Sequence, residues 1–152
     1  MSAIASFIKL PKSSLVALRQ VTAQGGFDGF ITQHGKPVAD YEWSGYVLAT
    51  LLPYLEEKHQ LQLMKSEYSE LATFLSQSLQ ATCFIFTDTH RQAYLAGLAP
   101  EAYIERQLAD YYNEFNGTGD PDAGRPMLDG IIALRQSLSQ LDDGSVIVFS
   151  TQ

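Results

Sequence analysis

The chain has 152 residues, 45% of them hydrophobic and 18% charged, and 17 acidic against 10 basic side chains give a formal net charge of -7. A chain of this length buries about 68–70% of its unfolded surface, so it needs no staple to hold a core, and this composition excludes disorder along its whole length. Lys and Arg are few and scattered, which speaks against a nucleic-acid binder and against docking on an anionic membrane, and leaves plain solubility or a basic protein partner as readings of the charge.

Residues 3–10, AIASFIKL, read as a first strand rich in β-branched and aromatic residues, and Pro11 ends it. Ser13 is placed to cap a short helix, SLVALRQVT, with Leu15 and Leu18 on one face, and Gly25-Gly26 then breaks the chain. FDGFITQHGKPVADYEW, residues 27–43, reads as a hairpin: Phe30 and Ile31 precede a turn at His34-Gly35, and Val38 and Tyr41 follow it. From Ser44 the period becomes helical, with Val47, Leu48, Leu51, Leu52 and Leu55 on one face. Pro53 within that pattern predicts a kink or a break near Leu52. LQLM, 61–64, is a short strand or a loop. A second helix starts near Ser66, with Tyr68, Leu71, Ala72, Leu75 and Leu79 as its apolar stripe.

TCFIFTD, 82–88, is the best candidate for a strand buried on both faces. The single cysteine, Cys83, lies in it, so it reads as a small buried hydrophobe rather than a nucleophile. THRQAYLAG reads as a short helix closed by Gly97, and Pro100 fits the first turn of the next. There Ile104, Leu108, Tyr111, Tyr112 and Phe115 recur at helical spacing until Asn116-Gly117 stops the helix. A last helix spans about 126–141, Asp142-Asp143-Gly144 turns, and SVIVFST is a final strand. The order β-α-β-β-α-α-β-α-α-α-β, without repeat or linker, predicts one α+β domain over residues 1–152: a small, mainly antiparallel or mixed sheet with about six helices packed on it. The opening MSAIASFIKLPKSS does not read as a signal peptide, and no apolar run approaches a membrane span. The expected location is the cytoplasm.

Two stretches stand out chemically. The first is Thr87-Asp88-Thr89-His90-Arg91, directly after the apolar strand. Asp88, His90 and Arg91 together could do acid–base work or hold an anion, as in a small-ligand-binding protein or an enzyme. The alternative is that Asp88 or Thr89 caps a helix and leaves His90 and Arg91 exposed on its first turn. The second is DYYNEFNGTGDPDAGRP, 110–126, with four carboxylates: Asp110, Glu114, Asp120 and Asp122. Counted from Asp120, an EF-hand calcium loop fails, because Gly124, Arg125 and Ile131 stand where a ligand, a glycine and a glutamate belong. A phosphate cradle fails too, since no Lys-Ser/Thr follows the glycines. What is left is a helix end and a turn, with acidic residues ahead of the next helix. One of Tyr111 and Tyr112 has to be half exposed, since neighbours on a helix cannot both face the core. Tyr111, Tyr112, Glu114, Asp120 and Asp122 therefore form the candidate interaction surface.

The histidines His34, His59 and His90 lie in separate segments with no zinc spacing, and no G-x-S-x-G elbow is present. Neither a metal nor a cofactor is expected.

SAIASFIKLPKSSLVAL, the Trp43 segment ahead of a Leu-rich helix and the apolar C-terminal strand together resemble the YfbM-like family of small bacterial proteins of unknown function. The resemblance covers the two ends and one middle segment. It implies an α+β domain, leaves the function open, and carries over no functional residue. The leading expectation is a protein that acts by protein–protein binding without catalysis, of adaptor or immunity type. The alternatives are a ligand or enzyme site after strand 82–88, and a homodimer that closes on the aromatic helix.

Overall fold

The computed structural model describes residues 3–152. Its sheet has four strands: β1 (Ala5–Pro11), β2 (Lys36–Ala39), β3 (Thr82–Thr87) and β4 (Ser145–Thr151), in the order β2-β1-β4-β3 with every neighbouring pair antiparallel. Seven α-helices pack on it: α1 (Leu15–Thr22), α2 (Phe27–His34), α3 (Tyr46–His59), α4 (Ser69–Leu79), α5 (Asp88–Tyr94), α6 (Glu105–Asn116) and α7 (Gly124–Ser139). The α+β expectation holds, with a wholly antiparallel sheet.

Alternation along the strands divides the core in two. Phe7, Phe86, Ile147 and Phe149 point to one face, where Leu48, Leu51 and Leu55 of α3, Leu108 of α6, and Met127, Ile131 and Leu134 of α7 cover them. Leu10, Ile85, Val146 and Val148 point to the other, under Leu15 and Leu18 of α1, Phe27 of α2, and Leu71 and Leu75 of α4. Helices on both faces explain why β4 is buried at all seven residues. Residues 82–87 are covered on both faces, as expected, but form an edge strand, with β4 as its one partner among the described residues. Their open side is closed by side chains. Ser76 Oγ accepts the Cys83 N–H at 2.9 Å and donates to the Ala72 carbonyl at 2.8 Å. Cys83 is 2% exposed, and burial pushes its thiol pKa up to about 11, consistent with an inert hydrophobe.

Four local expectations change. Residues 27–34 form a helix and not the first arm of a hairpin; only 36–39 is a strand, and it pairs with β1. Phe27, Phe30, Ile31 and His34 recur at helical spacing, and the Phe30 and His34 rings lie 4.6 Å apart across one turn. The helix stops where Lys36 precedes Pro37, a position that disfavours helical backbone. Next, α3 runs through Pro53 without a break. The carbonyl that Pro53 leaves unpaired belongs to Ala49, four residues back and exposed, so water can satisfy it. Third, Ser13 makes no side-chain cap; a 3-10 turn over Lys12–Ser14 leads into α1 instead. Finally, Gly97 does not end a helix and Pro100 does not open α6: both sit in short 3-10 turns, 95–98 and 100–102. Residues 61–64 are a loop with a turn at Leu63-Met64, and α4 starts at Ser69 after Ser66 Oγ accepts the Tyr68 N–H.

Candidate functional site

Helices α3 and α6 lie antiparallel. Asn116 at the end of α6 donates to Thr50 Oγ1 at 3.0 Å, while His59 at the end of α3 lies against Tyr103, just ahead of α6, with ring centres 4.8 Å apart. Between them runs a groove of about 540 Å³ lined by Tyr54, Glu57, Lys58 and His59 from α3 and by Gln107, Asp110, Tyr111, Glu114 and Phe115 from α6.

Helical spacing builds each wall. Tyr54 and Glu57 share a face of α3 at i, i+3, and Tyr111 and Phe115 share a face of α6 at i, i+4. The rings form a continuous row: Tyr54 meets Tyr111 edge-on at 4.9 Å, and Tyr111 stacks on Phe115 at 5.8 Å. Such pairs stabilise by about 0.5–1.5 kcal/mol beyond the area they bury. Tyr111 Oη donates to Glu57 Oε2 at 2.9 Å, and burial together with that carboxylate pushes the Tyr111 pKa up to about 12. The Tyr54 hydroxyl pairs with His59 Nε2 at 3.1 Å; burial raises the Tyr54 pKa and lowers that of His59. Both hydroxyls therefore stay protonated near neutrality, and the negative charge of the groove comes from carboxylates alone.

Glu57 is partly compensated, with Lys58 Nζ 3.8 Å from its other oxygen. Asp110 and Glu114 are exposed, and among the described residues no ion pair reaches either of them. They are like charges at i, i+4, an arrangement that costs a helix a few tenths of a kcal/mol. Glu114 also lies in the last turn of α6, at the negative end of its dipole, and that turn carries no basic residue. Beside them Phe115 is 53% exposed.

The five residues of the expected interaction surface separate. Tyr111 and Glu114 line the groove. Tyr112 is half-buried against the core of the α3–α7 face, so both adjacent tyrosines are part-covered. Asp120 and Asp122 lie in the loop beyond α6. Asp120 Oδ1 accepts the Asp122 N–H at 2.9 Å, and Asn113 holds the same loop through the Asp120 N–H and carbonyl. Asp122 faces a second cleft, beside Arg106 and Arg125. Tyr54, Glu57, Lys58, His59 and Gln107 complete the groove without having been singled out. The spacing of Tyr54 and Glu57 carried part of the signal; the antiparallel approach of a helix about fifty positions later did not show in the sequence.

Asp88, His90 and Arg91 come together at the start of α5 but hold one another and the backbone. The N-cap is Thr87, not Asp88 or Thr89, and it forms a capping box with His90. His90 is 4% exposed rather than solvated. Its Nδ1 accepts the Thr87 N–H at 3.0 Å and its Nε2 donates to the Lys65 carbonyl at 2.7 Å, which requires the neutral ring; burial lowers its pKa. The Arg91 guanidinium ion-pairs with Asp88 and holds its carboxyl below the usual carboxylate range, and Gln92 donates to the second oxygen at 2.7 Å. Among the described residues no cluster of three or more His, Cys, Asp or Glu side chains could hold a metal ion, and no helix is long and apolar enough to cross a membrane. Comparison with family models, with curated proteins and with solved structures finds no match for the chain.

Proposed function

We propose that this is a small cytoplasmic protein of adaptor or immunity type that acts by binding a basic protein partner through the α3–α6 face. The observation that carries the reading is the groove itself, where two carboxylates without an ion-pair partner among the described residues, Asp110 and Glu114, stand beside an exposed Phe115 in a chain of net charge -7. Aromatic anchors ringed by charge favour association, and the long-range field favours fast encounter with a basic surface. The resemblance to the YfbM-like family is part of the same proposal and implies no more than the α+β domain.

The test is photocrosslinking from position 115 in cells, with the captured proteins identified. A basic protein captured by the wild-type surface and lost when Asp110 and Glu114 are both changed to Lys is the expected result. Its association rate should fall about tenfold or more between low and high salt. Equal capture by the charge-reversed variant would remove the reading. Light scattering on the same samples reads whether the captured partner is a second copy of this chain.

A further inference from the structure

We infer that the groove between α3 and α6 receives an arginine side chain, so that its ligand class is a guanidinium presented by a peptide or protein. The inference rests on the proposed basic-partner reading and names the group that such a partner inserts.

The volume, about 540 Å³, exceeds what one side chain fills and admits an arginine with part of its flanking backbone. The row Tyr54–Tyr111–Phe115 offers aromatic surface to the aliphatic stem and to the flat cation, which sits favourably over a ring face. Asp110 and Glu114 supply acceptors with no partner of their own among the described residues. Glu57 is already engaged by Tyr111 and Lys58, and so is not among the free acceptors.

The same features argue against other cations. Among the described residues no three His, Cys, Asp or Glu side chains form a group that could hold a metal ion, so a bare divalent ion would find too few ligands here. A quaternary ammonium ion would satisfy the rings but has no N–H for Asp110 and Glu114. A lysine ammonium is a compact point charge and cannot both stack on a ring and span separated acceptors, whereas the guanidinium fork does both.

The experiment is an NMR titration of the full chain with three blocked amino acids: N-acetyl-arginine amide, N-acetyl-lysine amide and N-acetyl-citrulline amide. Citrulline keeps the shape of arginine and removes its charge. The arginine derivative is expected to shift the ring signals of Tyr111 and Phe115 saturably, lysine more weakly, and citrulline not at all. The double variant Glu114→Gln/Phe115→Ala alters two exposed side chains, so the fold should persist by circular dichroism while arginine binding weakens about tenfold or more. Shifts that miss Tyr111 and Phe115, or citrulline acting as well as arginine, overturn the inference. In that case crosslinking from position 115 still decides separately whether the face binds a basic partner.

Discussion

His90 shows how one residue can look catalytic in sequence and be structural in space. An Asp-x-His-Arg run after an apolar strand invites an acid–base reading. In the fold the imidazole uses both nitrogens on backbone groups, one on Thr87 and one on Lys65. Removing it with His90→Ala strands the buried Thr87 N–H and takes the donor from the part-buried Lys65 carbonyl, and should cost about 1–3 kcal/mol in urea unfolding. The pH dependence has a definite sign. Burial lowers the folded-state pKa below the ~6.5 of an unfolded chain. Between those values the unfolded chain binds the extra proton, so stability rises with pH through that window. The contribution is complete above pH ~6.5 and is lost as pH falls through the folded-state pKa. His59, also lowered by burial, adds in the same direction. Melting temperatures from pH 5 to 7 should therefore climb more steeply for the wild type than for His90→Gln. Asp88 titrates in a lower window: Arg91 depresses its pKa, and its contribution disappears only as pH falls below the ordinary carboxylate range.

At the scale of elements, the 110–126 stretch resolves into the end of α6, a tied loop and the start of α7. Its three glycines look alike in sequence and differ in what they do. Gly117 has φ 65° and closes α6 in the left-handed region, where a side chain is strained. Gly124 opens α7 pressed against α6, where an added Cβ would stand 2.2 Å from the Glu105 carbonyl oxygen. Gly119 has nothing within 4 Å of such a Cβ and no positive φ. Substituted singly by Ala, Gly117 should lose about 1 kcal/mol and Gly124 about 1–3 kcal/mol. Gly119→Ala should stay within about 0.5 kcal/mol of the wild type. Urea unfolding of the three variants checks the order. Gly117 was legible in advance because Asn-Gly ends a helical pattern. Gly124 was not, because its constraint is the backbone of another helix.

For the whole molecule the deciding feature is the pairing of the first strand with the last. β1 and β4 are central neighbours, in register from Ala5↔Thr151 to Pro11↔Ser145. Closing a loop of that length precedes any reward from the pairing, so folding should be slow for the size of the chain. Deleting residues 145–152 removes the strand buried at every position and leaves both core clusters without their centre. Circular dichroism and proteolysis of that truncated chain should find it unfolded. The two sheet edges are protected by different means. β2 is short and carries Pro37, and β3 has Ser76 and His90 on its outer backbone groups. Association through sheet extension is thereby disfavoured, and the exposed aromatic rings lie away from the sheet edges on helical or loop surface, Phe115 on α6 and Trp43 and Tyr46 around the start of α3.

The periodicities of α3, α4, α6 and α7, the apolar strands at both ends and the helix stop at Asn116-Gly117 were determined by the sequence alone, because local spacing and backbone preference act within a few residues. The fold class followed from their order. Tertiary structure decided the rest. It placed Tyr54 against Tyr111, put Glu57 on the Tyr111 hydroxyl and turned His90 inward onto the backbone. Each of these depends on which distant helix or strand arrives alongside, and that is set by burying both faces of the sheet together, not by any property of the segment itself.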